Sequence, residues 1–154
     1  MDIPAPTPNP EDGFRHLPVM LDAVVTSLAP TPAGILLDAT VGGGGHAAAL
    51  LEARPDCRLL GIDRDADAIG AAGLRLAPFG ERVRLVRAAF GDLGTVLEDE
   101  LGQECLAGFL FDLGVSSPQL DRPDRGFSYR EPGPLDMRMD QRQGLSAADV
   151  VNGY

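Results

Sequence analysis

Residues 34–46 read GILLDATVGGGGH: a short apolar run, an acid near its end, and the glycines Gly42 to Gly45 before a histidine. An apolar run without alternation, closed by a turn signal, marks a strand buried on both faces, so Gly34 to Thr40 is predicted as a strand of a parallel sheet. Glycines let the chain turn sharply and approach a ligand, and a helix starting at His46 offers its free N–H groups to an anionic end. Standing alone, the run reads equally well as a flexible turn. The residues that follow give it context. A helix is predicted from His46 to Arg54, then strand Cys57 to Asp63 (CRLLGID), helix Asp65 to Ala77, strand Val83 to Arg87, helix Leu93 to Leu101 and strand Leu106 to Asp112 (LAGFLFD). Strands alternating with helices predict an α/β fold, a parallel sheet with flanking helices. The second of these helices is the weakest, because Gly70 and Gly73 each cost about 1 kcal/mol against Ala in a helix interior.

Before this unit, Leu21, Val24, Val25 and Leu28 recur at helical spacing, predicting an amphipathic helix from Val19 to Ala29 that Pro30-Thr31-Pro32 ends. Residues 1–15 carry four prolines and three acids among few apolar residues, the composition of a disordered tail. Beyond Asp112 the periodicity stops. Pro118, Pro123, Pro132 and Pro134 punctuate residues 113–145, predicted as one long structured loop of functional character. Ser146 and Asp149 have the spacing of a capping box opening another helix.

Thirteen basic residues, all Arg, face 23 acids, a net charge of −10. That balance argues against a self-sufficient nucleic-acid binder, so any RNA contact must be local. Residues 121–142 are the least repulsive stretch, with five Arg (122, 125, 130, 138, 142) against five acids, whereas residues 1–120 hold eight Arg against 17 acids. The alternative for this stretch is a loop that pairs its own charges. Cys57 and Cys105 lack CxxC spacing and histidine partners, so neither a metal site nor a disulfide framework is expected. With no run near the roughly 20 apolar residues a membrane span needs and no signal-peptide pattern at the start, the chain reads as cytoplasmic.

Asp63 ends the second strand 21 residues after Gly42, where a nucleotide-binding βαβ unit places its ribose carboxylate. Its alternative is a helix N-terminal acid, a duty for which Asp65 is better placed; no structural partner is predicted for Asp63. Gly42-x-Gly44-x-x-Ala47 also satisfies the dinucleotide pattern, which leaves an NAD-dependent oxidoreductase open. Asp112 is expected at the carboxyl end of a strand beside the first one, the ligand-handling edge of an open sheet. Ser117-Pro118 follows five residues on and is similar to the polar-Pro element of amino-methyltransferases, although a plain turn explains it too. Asp112, Ser117 and Pro118 are the candidate catalytic residues: an exocyclic amine is a poor nucleophile, and acceptors that fix its hydrogens supply orientation. His46, at a helix start, reads as a binding or capping residue, and neither it nor His16 has metal-ligand spacing.

The segments HLPVML (His16 to Leu21), DATVGGGGHA (Asp38 to Ala47), GIDRD (Gly61 to Asp65), FDLGVSSPQLD (Phe111 to Asp121), RGFSY (Arg125 to Tyr129) and GPLDMRMD (Gly133 to Asp140) occur in the order and spacing of the MraW (RsmH) family, which the chain resembles from residue 16 to 154. The resemblance implies a Rossmann-like class I methyltransferase fold, S-adenosylmethionine as cofactor, and N4-methylation of a decoding-centre cytosine in 16S rRNA of the small ribosomal subunit. Carried over, the donor site comprises Gly44, Gly45, His46, Asp63, Phe90, Asp112 and Gln119. Phe90 would stack on adenine, or be a core aromatic; Gln119 would use its amide, or be a solvated side chain. Gly43 stands where many relatives carry Arg, which implies a looser loop. The resemblance also implies a truncated sheet, four of about seven strands, divided into tail 1–15, donor-binding half-domain 16–120, and substrate-side loop with the start of an inserted helical domain 121–154. Such a piece is expected to be inactive alone. A catalytically silent nucleotide- or adenosylmethionine-binding module is the other reading.

Overall fold

A computed structural model of the chain describes residues 18–153; His16 and the predicted tail lie outside them. Strands β1 (Ile35–Asp38), β2 (Arg58–Asp63), β3 (Val83–Arg87) and β4 (Leu106–Leu110) form one sheet in the order β3-β2-β1-β4, every pair parallel. Helices α1 (Leu21–Leu28), α2 (Gly45–Ala53), α3 (Ala66–Leu76) and α4 (Leu93–Leu101) connect and cover it. This is a Rossmann-like α/β fold, with the predicted elements in place and their ends shifted by a residue or two.

Alternation along the central strands builds a core on both faces. Ile35, Leu37, Leu60 and Ile62 pack on one side with Val96 of α4. On the other, Leu59 meets Ala47, Leu51, Ala72 and Leu76 of α2 and α3, while Leu36 meets Leu50 and the α1 residues Val24, Val25 and Leu28. Burial overrides local propensity in α3: Ala72 and Leu76 are fully buried, and this packing carries the helix through Gly70 and Gly73. Two guanidiniums finish the frame. Arg54 donates to the carbonyls of Leu28 and Ala29 at the end of α1, and Arg82 to those of Leu51, Arg54 and Cys57.

The loop expected over 113–145 is not wholly irregular. Ser117–Asp121 forms a short helix, α5, opened by a capping box between Ser116 and Gln119, and a 3-10 turn follows at Pro123–Arg125. Pro118 reads as a breaker but falls in the first helical turn, where its missing N–H costs nothing. The last helix, α6 (Ala147–Gly153), starts at the predicted box: the Ser146 hydroxyl donates to Asp149 (2.6 Å) and accepts from its N–H (3.3 Å). Phe109 in the edge strand β4 and Phe111 just beyond it lie exposed, Phe111 edge-on to both Phe109 and Phe90.

Candidate functional site

Parallel strands end together, so the sequence's acids collect at one edge. Asp38 closes β1, Asp63 closes β2, and Asp112 follows β4. Because β1 lies between β2 and β4, the glycine loop after β1 sits where the connections diverge to opposite sides of the sheet, the position at which open α/β sheets take ligands. A separate cleft at the opposite end of the strands, between Arg58, Arg82, Arg84 and Glu100, has none of these groups.

The loop is tightly built. Gly42 and Gly44 adopt left-handed conformations (φ 51° and 77°), and Gly44 is the N-cap of α2. A Cβ on Gly44 would lie 3.2–3.3 Å from Leu76 and Ala72, so glycine here also permits α2 to approach α3. At Gly45 a Cβ would fall 2.4 Å from Pro18, whose segment crosses the start of α2. The next residue ties that segment down: His46, buried, has its Nε2 2.9 Å from the Val19 carbonyl. Its Nδ1 lies 3.9 Å from an Asp112 oxygen. Gly43 is exposed, with nothing near its missing Cβ.

Asp63 has the partners that sequence reasoning did not give it. One carboxylate oxygen accepts from the Gly42 N–H (2.9 Å) and the other from the Asp65 N–H (2.9 Å). The acid thus closes the glycine loop against β2, and each oxygen keeps a lone pair for a hydroxyl donor. Asp65 serves as N-cap of α3, as expected, and does more. It is buried, and it accepts from Gln119 Nε2 (2.8 Å) and from Arg125 (2.7 Å). Gln119 is therefore not solvated: its oxygen accepts from the Ser116 N–H and its nitrogen reaches Asp65. Burial pushes the Asp65 carboxyl up, but hydrogen bonds from Arg125, Gln119 and the Asp67 N–H outweigh it and hold the group below its ordinary range.

Asp112 is half exposed; its N–H donates to the Thr40 hydroxyl (2.7 Å), which ties the end of β4 to that of β1. Ser117 and Pro118 open α5 in the segment beyond it. Phe90 is exposed on the 3-10 turn after β3, against Phe111 rather than in the core.

Asp38, Thr40 and Arg125 were missed by sequence reasoning as contributors to the site. The signal for Asp38 was present: an acid inside an otherwise apolar strand, immediately before the glycine loop. It is 1 % exposed, with one oxygen accepting from the Thr40 N–H (3.2 Å) and the other without a partner among the described residues. Burial lifts its carboxyl to about 6, opposed by the Thr40 N–H and by His46 and assisted by Asp63 and Asp112. The edge thus offers the Asp63 and Asp112 carboxyl groups around a glycine turn, with Asp38 buried beneath it, a setting suited to a ligand with a cationic centre and donor hydroxyls.

The model of the MraW methylase family matches residues 13–154. The chain is 54% identical over 142 residues to the ribosomal RNA small subunit methyltransferase H of Thermobifida fusca, which covers 90% of this chain and 43% of that protein. It is 52% identical over 143 residues to the protein of the same name from Streptomyces avermitilis, covering 91% and 45%. The chain thus spans less than half the length of these curated relatives. Among solved structures, an rRNA methylase from Streptococcus thermophilus aligns with a TM-score of 0.46 at 23% identity, over 61% of this chain and 52% of that one. With the glycine loop, the strand-end acids and the segments out to residue 154 all falling within the matched range, the chain belongs to the MraW methylase family.

Proposed function

We propose that this chain supplies the S-adenosylmethionine-binding part of a cytoplasmic methyltransferase acting on 16S rRNA in the small ribosomal subunit, with the exocyclic N4 amine of a decoding-centre cytosine as acceptor. One observation carries the reading: in a chain of this family, Asp63, the Gly44-Gly45-His46 turn and Asp112 meet at the carboxyl ends of adjacent strands, beside buried Asp38. S-Adenosylmethionine supplies an electrophilic methyl group and carries an ammonium, a sulfonium and two ribose hydroxyls, which match that acidic edge.

The chain's own residues divide the work. Asp63 takes the ribose hydroxyls, Gly44, Gly45 and His46 hold the amino-acid end, and Phe90 stacks on adenine. Gln119 acts through Asp65 and Ser116, holding the start of α5 against α3. Asp112 and the Ser117 hydroxyl accept the amine's hydrogens, and Pro118 fixes the backbone that presents Ser117, so the nitrogen lone pair is oriented for in-line attack. Residues 16–120 form the donor-binding unit and 121–154 the substrate side.

Two measurements test this on the intact protein. Adenosylhomocysteine should raise the melting temperature while NAD leaves it unchanged. Small subunits lacking the modification should then accept labelled methyl groups, recovered after nuclease digestion as N4-methylcytidine. Stabilisation by NAD, or label on another atom, would overturn the reading.

A further inference from the structure

The RGFSY segment is absorbed by the donor site only at its first residue. Arg125 is buried and grips Asp65 and Asp67 as well as the carbonyls of Arg138 and Met139. Immediately after it, the chain passes through two backbone contacts with no room for a side chain. A Cβ on Gly126 would fall 2.2 Å from the Pro134 carbonyl oxygen, and one on Gly133 would fall 2.1 Å from that of Pro123. Residues 123–126 and 133–136 therefore lie back to back, pinching residues 127–132 into a closed tip on a fixed base. The base stands on the start of α3, beside Asp63, and is held a second time where Asp140 meets Arg87 at the end of β3 (2.8 Å).

Two side chains distinguish this tip. Tyr129 is 98% exposed, and the Ser128 hydroxyl accepts from the Arg130 N–H, fixing the turn that presents both residues. The other four arginines of residues 121–142 are spent on carboxylates: Arg122 on Asp67 and Asp124, Arg125 on Asp65 and Asp67, Arg138 on Asp136, Arg142 on Asp140. Among the described residues Arg130 makes no ion pair. The loop is therefore mostly self-paired, the alternative reading of its charges, and among the described residues it leaves the Arg130 guanidinium outside any ion pair, between a bare aromatic ring and Glu131.

We propose that Tyr129 and Arg130 form a contact for single-stranded RNA, the ring stacking on an unpaired base and the guanidinium meeting the adjoining phosphate, so that the strand carrying the acceptor nucleotide is led to the donor edge. The inference rests on the RNA methyltransferase reading above. An aromatic face with a neighbouring cation is how proteins hold unstacked nucleotides, whereas a duplex offers no free base face to a tyrosine. Against a net charge of −10, Arg130 offers phosphate a guanidinium that is not spent on a carboxylate among the described residues, with Glu131 as the one acid beside it in the tip.

The test uses the intact protein, adenosylmethionine and small subunits lacking the modification. Tyr129→Ala should raise the KM for the particle by about tenfold or more, as expected for loss of one base–aromatic stack, with adenosylhomocysteine affinity unchanged. Tyr129→Phe, which keeps the ring, should stay near wild type. Arg130→Ala should weaken particle binding and lower its salt dependence by the equivalent of about one phosphate contact. A particle KM within about twofold of wild type for Tyr129→Ala, or a loss confined to the donor's affinity, overturns the contact. Absence of methyl transfer by the wild-type protein itself would instead overturn the reading on which the contact rests.

Discussion

Replacing Arg125 by Met tests the clasp between the substrate-side loop and the donor edge. The side chains of Arg125 and Asp65 are 4% and 5% exposed, so neither charge is relieved by water when its partner is removed. In Arg125→Met, Asp65 keeps only the Gln119 amide and the Asp67 N–H. Removing one member of a buried ion pair costs about 3–5 kcal/mol; the methionine recovers some packing, while the carbonyls of Arg138 and Met139 lose their donor. A loss of about 4 kcal/mol near neutral pH is expected. The pH dependence follows from Asp65. Its folded-state carboxyl lies below the ordinary value, so its contribution is present above the unfolded value and disappears as pH falls through the folded one. Without Arg125, burial acts against less opposition, Asp65 protonates more readily, and the variant's deficit shrinks in acid. Urea unfolding of wild type and variant at about pH 7 and pH 4.5 measures both effects. Asp65→Asn in the Arg125→Met background should restore about 1–2 kcal/mol, because no unpaired charge then remains buried. A deficit under about 1 kcal/mol at neutral pH, or one that does not change with pH, refutes the reasoning.

Asp38→Asn should stabilise the protein by up to about 3 kcal/mol at pH 8 and not at all below about pH 4, read from thermal melts. The raised carboxyl, about 6 against 3.8, favours folding only while protonated, and that contribution is lost as pH rises through the folded value; an equal gain at both pH values would show that the charge is not the cause. Asp63→Asn should weaken adenosylhomocysteine binding by about tenfold or more in calorimetry. It should also lower stability by about 1–2 kcal/mol, because an amide cannot accept from both Gly42 and Asp65 through one oxygen; unchanged stability would deny Asp63 its place in the loop. Gly45→Ala should cost about 1–3 kcal/mol by pushing on Pro18, whereas Gly43→Arg should stay within about 0.5 kcal/mol, having open space around it.

The two central strands were legible because they are buried on both faces, which leaves apolar runs such as ILL at 35–37 and LLGI at 59–62 that no surface element would carry. Asp65 as a cap and the Ser146–Asp149 box were legible for the same local reason, a polar side chain answering backbone groups two or three residues away. What escaped was long-range. Nothing near Arg125 announces that it meets Asp65, 60 residues earlier, and nothing near Asp63 shows that Gly42 donates to it. Gln119 was open to two readings, a donor contact or a solvated side chain, because its partner Asp65 lies 54 residues away. The short α5 was hidden by its own proline, whose effect depends on whether it falls in the first turn or the interior.

The place of β1 in the middle of the sheet sets an order of assembly. Ile35 pairs with Arg58 on one side and with Leu106 on the other, a loop roughly three times longer. The added closure entropy is only about 1 kcal/mol, yet β2 and β3 are synthesised first and can zip onto β1 while β4 is still being made. The floor under the donor, comprising the glycine turn, His46 and Asp63, is then complete before Asp112 and the tyrosine-bearing tip emerge. Assembly during synthesis therefore favours the proposed donor side first and the proposed RNA side second.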